Sequence, residues 1–169
     1  MRLKQVILFL FASAFLSGCV HDKTAAKLFG NMSYLVGNEF SGDKVTLVNG
    51  EYFKRNLWHV RYDDRYVYGD FNQDGLKDAA VIIVVNSGAG NSESYQLAFL
   101  INDGKKLAHQ ASRELDVWAI INSVKEENGK VVVDMYVHQK GDCNAGPSKR
   151  ERNVYEYNGP DDFAANRKS

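Results

Sequence analysis

Apolar and polar residues alternate along most of the chain, at the period of two that is typical of β-strands. The run Tyr95–Ile101 places every second residue on one face, and residues 130–138 do the same after a turn at Asn128-Gly129. A second such pair, Asn49-Gly50, lies between short alternating segments and predicts a tight hairpin. This pattern predicts about eight or nine strands, joined mostly by short turns.

One segment departs from this alternation. Residues 79–85 are all apolar and rich in Val and Ile, which predicts a strand buried on both faces. Residues 24–29 can form a helical turn, but so short a helix is marginal alone. Because successive hairpins place consecutive strands side by side, we expect a mainly β fold with a short N-terminal helix. Its antiparallel meander should curl into a barrel or a sandwich.

The first residues follow the pattern of an export signal. Arg2 and Lys4 precede an apolar run, residues 6–15, that is too short to span a membrane. The run ends in Leu16-Ser17-Gly18-Cys19. This tetrapeptide resembles the lipobox of bacterial lipoproteins, which implies cleavage before Cys19 and acylation of its thiol. The alternative is an ordinary signal peptide with a coincidental cysteine.

The resemblance also implies a location. Acyl chains on one cysteine anchor a protein to a membrane without a spanning helix. Val20 follows Cys19 at the position where inner-membrane members of the family have Asp, which implies the outer membrane, with the domain facing the periplasm. We therefore expect a signal peptide (1–18), a lipidated cysteine and tether (19–42), a single β domain (43–158) and a polar tail (159–169).

Charge and cysteine content narrow the set of partners. The full chain has 21 basic and 21 acidic residues, and loss of Arg2 and Lys4 with the signal peptide leaves 19 basic ones. A net charge of about −2 gives no electrostatic footprint for nucleic acid, so we expect no nucleic-acid partner. If Cys19 carries lipid, Cys143 has no partner for an intramolecular disulfide. Three roles are compatible with Cys143: a buried thiol, a free surface thiol and an intermolecular contact.

The densest group of oxygen-bearing side chains directly precedes the buried strand. Its members are Asp70, Asn72, Asp74 and Asp78, with the backbone carbonyl of Leu76 available between the last two. A hard cation such as Ca²⁺ takes about six to eight oxygen ligands. Gly75 tolerates the sharp turn that such a loop needs. The segment therefore predicts a calcium site that is continuous with the central strand.

This loop differs from a helix–loop–helix calcium site, because its twelfth position is Val81 where that site needs a bidentate Glu. Residues 69–85 instead resemble the calcium loops of FG-GAP repeats in integrin-type β-propellers, in which a Gly-Asp-Phe-Asn-x-Asp-Gly-x-x-Asp run precedes an apolar strand. The resemblance implies Ca²⁺ bound by Asp70, Asn72, Asp74, the Leu76 carbonyl and Asp78. The alternative is an Asx-rich turn that caps the strand without metal. Because the motif occurs once, we do not expect a propeller, which needs about four or more blades.

The order of motifs over residues 45–157 resembles that of small bacterial lipoproteins of unassigned activity. The shared features include an Asn-Gly-Glu-Tyr hairpin at 49–52, the Asp-rich loop and a Ser/Gly-rich loop after the central strand.

The chain has no Gly-x-Ser-x-Gly elbow and no phosphate-binding lysine loop. His138, Asp142 and Cys143 form one sequence cluster that could suit a thiol nucleophile, and an incidental surface thiol explains it better. We therefore expect a non-enzymatic, calcium-braced structural or interaction module at the outer membrane, with an envelope protein as its partner.

An alternative function comes from the Ser87–Ser92 loop. Its composition resembles the Ser/Gly-rich inhibitory loop of lipid-anchored lysozyme inhibitors, which implies a periplasmic inhibitor or binder of a cell-wall hydrolase. Those inhibitors usually carry an internal disulfide, which this chain cannot form. Assays of lysozyme inhibition, with and without the Ser87→Ala and Ser92→Ala substitutions, separate the two functions.

Overall fold

The fold is that of a computed structural model, which describes residues 23–38, 41–88, 90–143 and 146–160. The predicted signal peptide (1–18), Cys19 and residues 161–169 of the predicted tail lie outside the described residues. The described part contains α1 (Lys23–Phe29), β1 (Ser33–Asn38), β2 (Ser41–Thr46), β3 (Glu51–Lys54), β4 (Trp58–Gly69), β5 (Asp78–Asn86), β6 (Ser94–Asn102), β7 (Leu107–Val117), β8 (Ile120–Glu127), β9 (Lys130–Val137) and β10 (Lys149–Tyr155).

The strands form three antiparallel sheets, and within each sheet every strand pairs with its neighbour in sequence. The sheets are β1–β2, β3 to β7, and β8 to β10. The five-stranded sheet is the middle layer, because one of its faces packs on α1 and β1–β2 and the other on the three-stranded sheet. None of the described sheets closes into a barrel. The predicted antiparallel meander is confirmed, and its form is that of a sandwich.

Strand β5 lies at the centre of the molecule. All its residues from Asp78 to Val85 are buried. Ala80 and Ile82 pack toward the three-stranded sheet, whereas Val81 and Ile83 pack toward α1 and β1–β2. Because both faces of the strand are covered, neither set of alternate positions needs to be polar, and the prediction of a doubly buried strand is confirmed.

Helix α1 and strand β1 supply part of the core on one face of the middle sheet. The ring of Phe29 lies 5.3 Å from that of Tyr66, and the Tyr34 hydroxyl donates a hydrogen bond to the Phe29 carbonyl at 2.8 Å. Both side chains are fully buried. The predicted tether, residues 19–42, therefore needs a correction, since residues 23–38 and 41–42 belong to the fold. Its weak periodicity is the consequence of a seven-residue helix followed by a short hairpin.

The two Asn-Gly pairs form tight turns with different surroundings. Asn128 and Gly129 have φ angles of 54° and 76° and join the paired strands β8 and β9. Asn49 and Gly50 have φ angles of 54° and 93°, but only one bridge, between residues 48 and 51, closes that turn. The strands on either side then enter different sheets, β2 with β1 and β3 with β4. The turn at Asn49-Gly50 is thus as predicted, and it joins two layers rather than two strands of one sheet.

Among the described residues, no helix has the length and apolar composition that crossing a bilayer requires.

Candidate metal-binding loop

The Asp-rich loop connects β4 to β5 and is anchored in the core by Phe71. This ring is 4% exposed and packs edge to face on Phe99, with 5.6 Å between ring centroids. A Cβ atom added at Gly69 would lie 2.6 Å from Cε1 of Phe71. Glycine at position 69 therefore makes room for the aromatic anchor, which fixes the base of the loop.

Asp78 ends the loop and is fully buried. Its Oδ2 accepts a hydrogen bond from the backbone N–H of Phe71, and its Oδ1 accepts one from the backbone N–H of Asn102, both at 2.8 Å. One carboxylate thus joins the beginning of the loop to the end of β6. Charge-assisted bonds of this kind are about twice as strong as neutral ones, so Asp78 is a structural centre of the loop whether or not metal is present.

The other oxygen-bearing side chains meet at the tip of the loop. The backbone N–H of Asp74 donates to Asp70 Oδ1 at 3.1 Å and to Asn72 Oδ1 at 3.2 Å. Asn72 Nδ2 also donates to Asp74 Oδ2 at 2.7 Å. The second oxygen of Asp70 accepts from Gly75 N–H at 3.0 Å, where the φ angle is 83°. Asp70, Asn72 and Asp74 are therefore held together around a single tight turn.

The five predicted ligands fall into two groups. Asp70, Asn72 and Asp74 are brought together at the tip, and Leu76 is tied to them because its N–H donates to Asp74 Oδ1 at 2.8 Å. Asp78 instead faces the backbone amides at the base. Within the described ranges, no group of three or more His, Cys, Asp or Glu side chains is arranged to hold a metal ion. The oxygen atoms available for a metal ion at the tip belong to two carboxylates and one amide. Ca²⁺ prefers hard oxygen ligands of this kind.

The structural role of Asp78 was missed in the sequence. The sequence feature that points to this role is an aspartate immediately before seven apolar residues. A carboxylate at the start of a doubly buried strand is itself buried and must therefore find hydrogen-bond donors there. Sequence spacing instead grouped Asp78 with Asp74. Its partner Asn102 is 24 positions away, and only the packing of β5 beside β6 brings them together.

The Ser87–Ser92 loop is fastened at both ends. Asn86 Oδ1 accepts from Gly88 N–H at 2.8 Å, and Asn86 Nδ2 donates to the Gly90 carbonyl at 3.0 Å. On the other side, the indole N–H of Trp118 donates to the Asn91 carbonyl at 3.2 Å. Ser87 and Ser92 are exposed. The hydroxyls of both predicted contact residues therefore lie on the surface.

Cys143 is exposed, which excludes the buried thiol and leaves the free surface thiol and the intermolecular contact as alternatives. The His138 ring atom Nε2 lies 3.2 Å from the carbonyl oxygen of Cys143, which is a backbone contact. Asp142 accepts hydrogen bonds from the N–H of Gln139 at 3.0 Å and from the hydroxyl of Ser148 at 2.7 Å, and these bonds hold its pKa below the usual range. The three residues of the sequence cluster thus shape one surface loop.

A histidine connects the layer of α1 and β1–β2 to the middle sheet. His109 Nδ1 accepts a hydrogen bond from the Leu35 N–H at 3.0 Å, and its Nε2 lies 2.9 Å from the Ser112 hydroxyl. Because Nδ1 acts as an acceptor, the ring is neutral and Nε2 carries the proton that it donates to Ser112. Burial lowers the pKa of His109 to about 4. No feature of the sequence distinguished His109 from the other three histidines.

These features define the class of the protein as an antiparallel β-sandwich whose central strand begins at an Asp-rich loop. A comparison with family models, curated proteins and solved structures finds no match for the chain.

Proposed function

We propose that the protein is a lipid-anchored module of the outer membrane that faces the periplasm, has no enzymatic activity and is braced by calcium at residues 70–78. The observation that carries this proposal is the meeting of Asp70, Asn72 and Asp74 at the tip of a loop whose base is fastened to the central strand. A cation at the tip would stiffen the connection between β4 and β5. The resulting rigid surface suits a structural role or the binding of an envelope protein.

Calcium binding would offset the repulsion between two carboxylates in the loop. Asp70 and Asp74 place two carboxylates around one turn, and like charges at that spacing repel each other. Each carboxylate oxygen has lone pairs left after accepting one N–H, so cation binding need not break the hydrogen bonds of the turn. Asp70, Asn72 and Asp74, together with the Leu76 carbonyl, would hold Ca²⁺. Asp78, the fifth ligand that the resemblance implies, has both oxygens bonded to backbone N–H groups at the base of the loop and would support the site from there.

The calcium proposal predicts a shift in thermal stability. For a soluble chain that begins at Val20, calcium at about 100 times its Kd should add roughly 2.7 kcal/mol to the free energy of unfolding. For a domain of this size, that raises Tm by about 5 to 10 °C relative to EDTA. Differential scanning calorimetry in CaCl₂ and in EDTA measures the shift.

Two substitutions make this measurement specific to the loop. Asp74→Ala should abolish the difference between the calcium and EDTA melts. Asp103→Ala is the matched control, because Asp103 also accepts hydrogen bonds from backbone N–H groups in an exposed turn but lies outside the loop; this variant should keep the full shift. Identical melts of the unmodified chain in both buffers would refute calcium binding.

The lipid anchor predicts acylation at one cysteine only. In bacterial cells fed an alkyne fatty acid, the protein should incorporate the label and sediment with outer membranes. Cys19→Ser should remove the label and release the protein from the outer-membrane fraction, because no other residue carries the acyl chains. Cys143→Ser is the matched control, since it removes the second thiol of the chain and should leave the labelling unchanged. Fatty-acid labelling of the Cys19→Ser variant would count against the anchor.

A further inference from the structure

The distance between the proposed anchor and the fold is short. Cys19 and Lys23, the first residue of α1, are four positions apart, so their Cα atoms are at most about 14 Å from each other. A domain of this length is roughly 35 Å across. An acyl chain on Cys19 would therefore hold one side of the domain against the bilayer, namely the side on which α1 lies.

The exposed side of α1 continues into the turn between β2 and β3. Gly50 N–H donates to the Gly30 carbonyl at 2.7 Å, and Asn49 N–H donates to Asn31 Oδ1 at 3.1 Å. Asn31 N–H in turn donates to the Leu28 carbonyl at 3.2 Å. A Cβ atom added at Gly30 would lie 2.9 Å from the backbone nitrogen of Gly50, so the two segments are in close contact. They form one rigid corner.

This α1 corner, defined as Lys23, Lys27, Leu28, Val48 and Asn49, combines apolar and basic side chains. Leu28 is 43% exposed and Val48 is 66% exposed, although both are large apolar residues. Lys23 and Lys27 are exposed, and α1 contains no acidic residue. Apolar side chains flanked by lysines suit the boundary between acyl chains and anionic headgroups, where the lysine stems extend toward the headgroups.

We infer that the α1 corner is the surface on which the domain rests on the lipid bilayer; this inference depends on the proposed acylation of Cys19. Leu28 and Val48 enter the interface, while Lys23 and Lys27 contact anionic headgroups. The outer face of the three-stranded sheet then points away from the membrane, because it is the opposite outer layer of the sandwich. The Asp-rich loop and the rest of the surface remain available to soluble partners.

The opposite layer provides a matched control position. Val154 on β10 is 51% exposed, which is similar to Val48, and it lies on the three-stranded sheet. In a Cys143→Ser parent with an acylated Cys19, a cysteine introduced at either position is the single free thiol of the mature chain. Val48→Cys and Val154→Cys thus place the same probe on the two outer layers of one domain.

The experiment uses the lipidated chain in vesicles of phosphatidylethanolamine and phosphatidylglycerol. Each introduced thiol carries an environment-sensitive fluorophore, which is quenched by nitroxide lipids from within the bilayer or by iodide from the water. We expect nitroxide quenching at position 48 to exceed that at position 154 at least twofold, with the reverse order for iodide. Leu28→Cys is a second probe of the corner and should behave like position 48, so the result does not depend on one substitution in a turn.

The outcomes separate this inference from the anchor on which it depends. Equal quenching at positions 28, 48 and 154 in a chain that is acylated and vesicle-bound overturns the α1 corner alone. If the Cys143→Ser parent reacts with the thiol reagent at Cys19 and stays in solution, acylation is absent, and both proposals fail. Preferential nitroxide quenching at positions 28 and 48 supports the inference.

Discussion

Replacing Asp78 with alanine is expected to lower the free energy of unfolding by about 4 kcal/mol, in calcium and in EDTA alike. The substitution removes a fully buried carboxylate and leaves the N–H groups of Phe71 and Asn102 without their acceptor. An unsatisfied buried donor costs about 1–3 kcal/mol. For a domain of this size the corresponding decrease in Tm is on the order of 10 °C. Urea unfolding of the soluble chain measures the loss directly.

Two variants define the cause of that loss. Asp78→Asn keeps one carbonyl oxygen as an acceptor but turns an amide NH₂ group toward the second backbone N–H. Its loss of unfolding free energy should therefore lie between zero and that of Asp78→Ala. Asp103→Ala removes two similar bonds, to the N–H groups of Lys105 and Lys106, from an exposed turn where water can replace them. The free energy of unfolding of Asp103→Ala should therefore be much closer to that of the unmodified chain. If Asp78→Ala were silent in EDTA, the carboxylate would act only through a metal ion, and its structural role would be wrong.

Acidification from pH 6.5 to 4 is expected to destabilise the domain by up to about 3 kcal/mol through His109 alone. Burial lowers the pKa of His109 in the folded state to about 4, from an ordinary value of 6.5. Between these values the unfolded chain binds a proton that the folded chain excludes, so stability decreases as pH falls. Above pH 6.5 both states are neutral, and below pH 4 both are protonated, so the effect of His109 ends at those limits.

The measurement is urea unfolding at intervals between pH 7 and pH 4. His109→Asn retains an acceptor near the position of Nδ1 for the Leu35 N–H and cannot titrate in this range. The difference in stability between the unmodified chain and this variant should therefore shrink by about 3 kcal/mol as the pH falls. A constant difference across the range would show that His109 is not held neutral. Because the bond to Leu35 joins β1 to β7, acid should loosen the layer that contains α1.

The loop between β4 and β5 shows how far spacing predicts contacts. Positions 70, 72 and 74 are close in sequence, and a tight turn necessarily brings such positions together, so their meeting was predictable. Spacing and the resemblance to FG-GAP loops place the carboxylate of Asp78 in the same group. In the fold it accepts a hydrogen bond from the half-buried N–H of Asn102, because β6 pairs with β5, and no local pattern predicts that contact.

In the N-terminal segment, local sequence patterns predict less structure than the fold contains. Residues 23–38 have too few regular positions to predict a folded unit, because α1 has seven residues and β1 has six. Isolated elements of that length are not stable in water. They form here because Phe29 and Tyr34 find an apolar face on the middle sheet. The fold thus begins about twenty residues before the position that the sequence predicted.

Alternation and turn chemistry, which are local properties of the chain, determined the antiparallel meander, the doubly buried strand at residues 79–85 and both Asn-Gly turns. The motif around Cys19 and the Asp-rich loop likewise depend on adjacent residues, and they support the proposed anchor and calcium site. Tertiary structure alone decided the three-layer arrangement, the buried bonds of Asp78, the neutral His109 and the α1 corner. Each of these depends on surfaces that are distant in sequence, and such surfaces meet only when the layers pack.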